Sequence, residues 1–473
     1  MNAKRLFASA VVLGAMLLLV TAAANPATAD PILTPQEQLG KSIFFDQHLS
    51  LNQNQSCAAC HAPQVGWTGP DENINAFGAV YEGSILTRFG DRKPPSSGYA
   101  TQSPILHFVI EAGEAVFIGG NFWDGRATGE RLGNPAADQA QGPFLNPMEQ
   151  ALPDSACVVY RVCNPVSPGD YPVAFESVWG AGACTIAWPA DVEQVCAQEG
   201  TTVALASEDR AKSDRAYDSI ALSIAAYEAS PEVNAFTAKF DAIVVKQAKL
   251  TKQEKEGLKL FMGKAKCANC HTLDVKGRTP SLFTDFTYDN LGVPKNPENP
   301  VYNGNPAFID LGLGGFLATR ADYAQYAASN EGKQKVPTLR NVDLRPDPSL
   351  VKAYMHNGYF KTLEGVVHFY NTRDILPRCA GDFTEAQALA AKCWPAPEVA
   401  KNVNTTELGN LRLSQQEEAE LVAFMKTLSD GFVMAGSMDA EEGFTIDDVL
   451  QESAMESAAP HQLFLPVVVA AAK

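Results

Sequence analysis

The chain of 473 residues carries a formal net charge of −17, because 54 Asp and Glu residues outnumber 37 Lys and Arg residues. This acidic balance argues against nucleic acid and anionic membrane surfaces as partners, and it favours a basic protein partner. The length predicts two or more domains, and the 46% of hydrophobic residues are enough for substantial cores.

Residues 1–29 have the pattern of a secretory signal peptide. Lys4 and Arg5 supply a positive start, an apolar stretch follows over residues 6–20, and "ATA" at 27–29 offers a cleavage site before Asp30. Such a stretch is too short to favour a membrane span, and an uncleaved anchor helix is the alternative. The pattern predicts export to the periplasm or another extracytoplasmic compartment, with no transmembrane span in the mature chain.

Two stretches of the same design predict amphipathic helices, one in each half of the chain. The first begins with Thr34 as the N-cap, Pro35 in the first turn and Glu37 three residues after the cap. The second begins with Thr251 and Glu254 in the same relation. Each helix leads into a short cysteine-containing motif, so the sequence contains an internal duplication.

The duplicated motif is CxxCH, which reads "CAACH" at residues 57–61 and "CANCH" at residues 267–271. Given 10 Cys and 7 His, chance would produce only about 0.003 such matches. CxxCH is the attachment site of haem c, in which both thiols bind the vinyl groups and the His binds the iron. Zinc, which needs four ligands, and a redox dithiol or disulfide are the alternatives. The sequence predicts two covalent haem c groups, held by Cys57, Cys60, His61, Cys267, Cys270 and His271.

The other segments predict a mainly α fold with two cytochrome c-like domains and long ordered loops. The N-terminal domain covers residues 30–230, with Gly- and Pro-rich loops over 62–150, and the C-terminal domain covers 231–430. Helices are predicted at 215–230, bridging the halves, and at 413–430, where Ser414 and Glu417 form a capping box. Residues 431–473 form an acidic and apolar tail.

Six further cysteines predict three disulfides in an exported chain, with buried free thiols as the alternative. Cys379 and Cys393 lie apart from the others and are expected to pair. The remaining four lie in an insertion around residues 151–200, and their three possible connectivities stay open: Cys157, Cys163, Cys184 and Cys196.

Several short motifs together resemble the bacterial di-haem cytochrome c peroxidases and their MauG-type relatives. The first half contains "FWDGRA", then QA-x-GP, then NP-x-E between residues 122 and 149. The second half contains "VPTLRNV", "AYMHNG" and "TLEGVVHFYN" between residues 336 and 371. The resemblance extends over about residues 33–430, without the Cys-rich insertion.

This resemblance implies roles for residues of the first half. The haem on His61 would react with peroxide, Glu149 would be the acid/base group, and Gln139 would be its polar companion. Trp123 would carry electrons between the haems. A carboxyl group near the iron suits this chemistry, because cleavage of peroxide requires a proton to move from one oxygen to the other. Arg126 is expected to pair with a haem propionate or with Asp124.

Two departures from the family concern the iron ligands. The family's sixth ligand of the second haem lies fourteen residues beyond the His of the "YMHNG" motif, which here is Tyr370. In the family, this ligand is Met in ordinary peroxidases and Tyr in MauG-type proteins. The resemblance therefore implies that Tyr370 binds the second haem iron, and His368 is the alternative ligand. The loop after the first CxxCH lacks the inhibitory His of typical peroxidases, which predicts an open first haem. His107, with apolar neighbours, is predicted to be a core residue.

A third departure makes calcium doubtful. The family's calcium site between the haems uses an Asn side chain where this chain has Lys93, and a cationic side chain opposes calcium binding. The segment between Leu344 and Ala353 is also longer than the family's usual turn.

The sequence thus predicts a periplasmic di-haem peroxidase that reduces hydrogen peroxide with electrons from a small redox protein, a cytochrome c or a cupredoxin. One alternative is a MauG-type oxidase that modifies residues of a partner protein. Another is a non-catalytic di-haem electron carrier.

Overall fold

The protein is described here by a computed structural model covering residues 31–164, 171–433 and 443–457, with side chains up to residue 452. The predicted signal peptide and most of the predicted tail lie outside this range. Helices dominate it: α1 Pro35–Phe45, α2 Glu72–Ala76, α3 Pro135–Leu145, α4 Ser155–Cys163, α5 Tyr171–Trp179, α6 Val192–Cys196, α7 Ser207–Ala229, α8 Lys239–Val244, α9 Lys252–Met262, α10 Val301–Gly304, α11 Gly312–Leu317, α12 Leu363–Thr372, α13 Glu385–Ala391, α14 Gln415–Lys426 and α15 Ile446–Ser457.

Sheet is scarce in the described residues, which confirms the mainly α prediction. The strands β1 His107–Glu111 and β2 Glu114–Ile118 form one antiparallel pair, and β3 Tyr288–Asp289 and β4 Gln334–Lys335 form the other. No helix within the described ranges is long and apolar enough to cross a membrane.

The two predicted amphipathic helices are α1 and α9, and each begins with a capping box. Thr34 and Glu37 close the box of α1, and Thr251 and Glu254 close that of α9. The predicted capping box of α14, made by Ser414 and Glu417, is also present. These predictions are confirmed. They could be made from the sequence because a capping box depends only on residues three positions apart.

Helices α1 and α9 each cross a later helix of their own half at a glycine. A Cβ at Gly40 of α1 would overlap the carbonyl oxygen of Ser223 in α7. A Cβ at Gly257 of α9 would overlap the carbonyl oxygen of Glu420 in α14 in the same way. The duplication therefore extends from the sequence to the packing, since both glycines follow their N-cap threonine by six residues.

Two large hydrophobic clusters lie on these crossings. The first collects side chains between Leu39 and Val233, and the second collects side chains between Phe240 and Val449. The division into two haem domains at residue 230 stays a prediction.

Two loop predictions need correction. The segment 62–150 contains α2, α3 and the β1–β2 hairpin in addition to loops. His107, predicted to be a core residue, is exposed on β1, and its Nδ1 lies 2.8 Å from the carbonyl oxygen of Ile105. Its apolar neighbours are misleading because most of β1 is itself exposed.

Helix α7 begins eight residues before the predicted helix at 215–230, at Ser207. Glu208 and Asp209 lie in its first turn, where acidic side chains interact favourably with the helix dipole. The predicted end before Pro231 is confirmed.

The three predicted disulfides are present, including Cys379–Cys393. Of the connectivities that the sequence left open, the structure has Cys157–Cys196 and Cys163–Cys184. Both disulfides cross-link the insertion. Cys157 and Cys163 lie on α4, and α4 packs on α7 within the first hydrophobic cluster.

Candidate functional site

The first CxxCH motif forms a tight turn that positions one imidazole. Cys57–Ala59 is a single 3₁₀ turn, and the backbone N–H of His61 donates to the Cys57 carbonyl oxygen at 3.0 Å. The His61 Nδ1 lies 3.2 Å from the Trp67 carbonyl oxygen, an acceptor, so Nδ1 carries the hydrogen. Burial lowers the pKa of His61 to about 4. The imidazole is neutral at pH 7, and its Nε2 lone pair can bind a metal.

The second CxxCH motif repeats this arrangement. Cys267–Asn269 forms the 3₁₀ turn, and the His271 N–H donates to the Cys267 carbonyl oxygen at 2.8 Å. The His271 Nδ1 lies 2.8 Å from the carbonyl oxygen of Phe283. Burial lowers the pKa of His271 to about 4 as well. A backbone carbonyl that holds Nδ1–H is a common second contact of metal-binding histidines.

The donor set of each motif fits a covalently attached haem better than the alternatives. The four thiols of the two motifs form no disulfide. Across the described ranges, no three His, Cys, Asp or Glu side chains are grouped to hold a metal ion, whereas zinc takes four ligands. Each motif instead lines its own cavity, with two thiols and one neutral imidazole.

The first cavity brings together the predicted residues of the peroxide site. Glu149, Gln139 and Trp123 line it together with Cys57, Cys60 and His61. Asn146 Nδ2 donates to Glu149 Oε1 at 3.0 Å. Burial raises the pKa of Glu149 above the usual carboxyl range, opposed by the nearby charge of Arg126 and by this hydrogen bond. A carboxyl group with a raised pKa is a stronger proton acceptor than an ordinary carboxylate, which suits an acid/base role.

Trp123 lines both cavities. Its Nε1 donates to the Lys93 carbonyl oxygen at 2.8 Å, and its own carbonyl oxygen accepts from the Lys335 N–H at 2.8 Å. Only 8% of the residue is exposed, so the indole is held by both its ring and its backbone.

The second cavity contains Tyr370 beside Cys267, Cys270 and His271. Burial raises the pKa of the Tyr370 phenol. The alternative ligand, His368, lies elsewhere: its Nδ1 is 3.1 Å from Glu418 Oε1 on α14, and it does not line this cavity.

Comparisons with known proteins show the family to which the chain belongs. Residues 34–249 match the protein-family profile described as "Di-haem cytochrome c peroxidase". The methylamine utilization protein MauG of Paracoccus denitrificans is 32% identical over 421 residues, which cover 88% of this chain and 94% of that protein. The chain belongs to the di-haem cytochrome c peroxidase and MauG family.

Relatives in this family include both peroxidases and MauG proteins. Cytochrome-c peroxidase IdrP1 of Denitromonas iodatirespirans is 26% identical over 86% of this chain and 83% of its own length. The crystal structure of the diheme peroxidase BthA from Burkholderia thailandensis has a TM-score of 0.65 at 28% identity, covering 89% of this chain and 93% of that chain. The family is one of oxidoreductases with two haem groups, and membership alone does not choose between its activities.

The first cavity contains little histidine. His61 is the one histidine among its described lining residues. Arg126, predicted to contact Asp124 or a propionate, donates from Nη1 to Asp124 Oδ2 at 2.8 Å.

Sequence reasoning missed a buried charge network beside Trp123. Arg92 donates to Asp124 at 2.6 Å and, through two nitrogens, to Asp310 at 2.7 Å each. The His356 Nε2 lies 3.9 Å from Asp310 and from Glu398. The run "GDRK" gives a weak signal for Arg92, but nothing in the sequence indicates Asp310 as its partner, 218 residues away.

A second carboxyl group of the first cavity was also missed. Glu228, near the end of α7, is 3% exposed and lines this cavity. Burial raises its pKa to about 8, so it is largely protonated at pH 7. Its position in an otherwise apolar helix turn, "AAYEAS", is the one signal that the sequence offers.

Proposed function

We propose that this protein is a di-haem c-type peroxidase that reduces hydrogen peroxide to two waters at the first cavity, using two electrons and two protons. Cys57, Cys60 and His61 would hold the first haem. Cys267, Cys270 and His271 would hold the second, with Tyr370 as the sixth ligand. The observation that carries the proposal is the Glu149 carboxyl group in the same cavity as the neutral His61 imidazole.

A haem held by Cys57, Cys60 and His61 would supply the redox chemistry for cleaving the O–O bond. Glu149 would accept a proton from one oxygen of the peroxide and return it to the other oxygen, which leaves as water. Such general acid/base catalysis contributes about 10²–10⁴-fold. Gln139 supplies an amide that can orient the peroxide by hydrogen bonding.

Trp123 is proposed as the route for electrons between the two haems. Its indole is an oxidisable ring that lines both cavities. The hydrogen bond from Nε1 to the Lys93 carbonyl oxygen fixes the orientation of the neutral indole ring. Electrons from a small redox protein would enter at the second haem.

MauG-type oxidation of a partner protein is the second candidate. It is supported by Tyr370 in the second cavity and by the 32% identity to a protein named MauG. A hard oxygen ligand disfavours reduction of iron relative to a thioether, so the second haem would accept electrons from cytochromes less readily than a Met-ligated haem. The partner would then provide the electrons from its own oxidised residue.

The division into domains and the export of the chain are also part of the proposal. Residues 30–230 and 231–430 would each form a cytochrome c-like domain with one haem c. Residues 1–29 would direct export to the periplasm or another extracytoplasmic compartment, where haem c is attached.

The decisive experiment is peroxide turnover by the purified di-haem protein with a reduced cytochrome c or cupredoxin. The peroxidase proposal predicts two donor molecules oxidised for each peroxide consumed. Electron paramagnetic resonance of the ferric protein should show one high-spin haem, and peroxide should react without prior reduction. Two low-spin haems with no peroxide reaction would instead indicate an electron carrier, and peroxide reaction without donor turnover would favour the MauG-type activity.

A further inference from the structure

A buried lysine connects the two halves of the protein without an acidic partner in its hydrogen bonds. Lys352 is 3% exposed, and its Nζ lies 2.9 Å from the carbonyl oxygen of Val65, 3.0 Å from that of Asn341 and 2.9 Å from that of Leu344. Val65 belongs to the loop after the first CxxCH motif. Asn341 and Leu344 belong to the second half, 11 and 8 residues before the lysine.

This geometry favours the charged form of the side chain. An ammonium group has three N–H donors, whereas a neutral amine has two donors and a lone pair that would face the third carbonyl oxygen. Burial lowers the pKa of Lys352 well below its usual value, with contributions from the nearby charges of Lys93 and Arg345, whereas the Asp343 carboxylate raises it. Three carbonyl acceptors oppose that shift, because hydrogen bonds to the charged form favour it.

Lys93 places a second ammonium group close to the first. It is 8% exposed, and its Nζ donates to Thr68 Oγ1 at 2.8 Å and to the Pro94 carbonyl oxygen at 3.0 Å. Its backbone N–H donates to the His356 carbonyl oxygen at 2.7 Å, and its carbonyl oxygen accepts from Trp123. Lys93 therefore holds the loop that accepts the Trp123 hydrogen bond, and Lys352 holds Val65 of the first half against the second half.

These residues do not fit the calcium ion that the family resemblance implies. Calcium takes six to eight oxygen ligands at about 2.3–2.6 Å. Here Lys93 stands at the position expected for a ligand Asn, and the carbonyl oxygens near it are engaged by ammonium groups. Burial lowers the pKa of Lys93 to about 7. Neither lysine side chain offers an oxygen ligand, and the positive charge of either one repels a divalent cation.

We propose that Lys352, assisted by Lys93, is a built-in cation that replaces calcium between the two halves and makes the protein independent of calcium. The ammonium group of Lys352 binds three carbonyl oxygens that a metal ion could otherwise bind. This inference concerns the contact of the two halves at Val65 and does not depend on which reaction the protein catalyses.

The test begins with the wild-type di-haem protein. After exhaustive dialysis against a calcium chelator, it should contain no stoichiometric calcium by elemental analysis. Its thermal midpoint and its visible and electron paramagnetic resonance spectra should be the same with chelator and with added calcium. Stoichiometric calcium that survives purification, with spectra that change when it is removed, would overturn the proposal whatever the variants do.

The variant Lys352→Met removes the charge and keeps an unbranched side chain. We expect a Tm lowered by several degrees and a changed spectrum of the first haem, since Val65 lies four residues after His61. Lys401→Met is the matched control, because Lys401 is half exposed and pairs with Glu331 at the surface; it should behave as wild type. A Lys352→Met protein with the wild-type Tm and spectra would also contradict the proposal.

Discussion

At the scale of single residues, the protonation of Glu149 determines the expected pH dependence. We predict that Glu149→Gln slows the peroxide step about 10²–10⁴-fold with unchanged haem content, because the amide cannot accept a proton. Burial raises the pKa of Glu149, so the wild-type rate should fall as the pH is lowered through a value above the usual carboxyl pKa of about 4.3. That acid limb should disappear in the variant, as measured by stopped-flow mixing with peroxide.

Glu228→Gln is the matched control for this prediction. Glu228 lines the same cavity, but its pKa of about 8 leaves it largely protonated at pH 7. Its variant should keep most of the peroxide rate at neutral pH. If Glu228→Gln were slow and Glu149→Gln fast, the acid/base role would belong to Glu228.

The ligand of the second haem is the other prediction at this scale. Tyr370→Met should raise the reduction potential of the haem on His271 and introduce the near-infrared band of His/Met-ligated haem, because a thioether favours the ferrous state. Spectroelectrochemical titration measures both effects. Tyr354→Phe is the control, since Tyr354 lines the same cavity and its hydroxyl accepts from Arg345 at 3.0 Å. An unchanged spectrum in Tyr370→Met would show that Tyr370 does not contact the iron.

At the scale of helices, the crossing of α9 and α14 depends on Gly257. A methyl group there would overlap the Glu420 carbonyl oxygen and approach the Phe424 Cβ at 2.8 Å, so the helices would have to separate. We predict that Gly257→Ala lowers the free energy of unfolding by about 1–3 kcal/mol, as measured by denaturant titration of the di-haem protein. Gly304→Ala in α10 is the control, because a Cβ at Gly304 has no atom within 4 Å. Equal stability of the two variants would contradict this account of the crossing.

At the scale of the whole molecule, the formal charge of −17 should govern the encounter with an electron donor. We predict that kcat/KM for a basic cytochrome falls as ionic strength rises, because at physiological ionic strength salt screens the attraction between charges more than about 8 Å apart. For an acidic donor the trend should reverse. The peroxide step is the internal control and should not respond, since hydrogen peroxide is uncharged. A basic donor with salt-independent turnover would argue against electrostatic guidance.

Features that depend on near neighbours could be predicted from the amino-acid sequence alone. The CxxCH turns and the three capping boxes need only residues two to four positions apart, so their patterns could be interpreted before any fold was known. The pairing of Cys379 with Cys393 could be predicted for a similar reason, since no other free candidate lay nearby. The repeated helix-then-motif design likewise indicated two equivalent halves.

Contacts between residues far apart in the sequence could be identified from the fold and not from local patterns. The tertiary structure chose Cys157–Cys196 and Cys163–Cys184 from three possibilities, placed Trp123 against both cavities, and left His107 on an exposed strand despite its apolar neighbours. It also brought the Lys352 ammonium group to a carbonyl oxygen 287 residues away. A local pattern cannot specify such contacts, because they depend on which faces of separate elements pack together and exclude water.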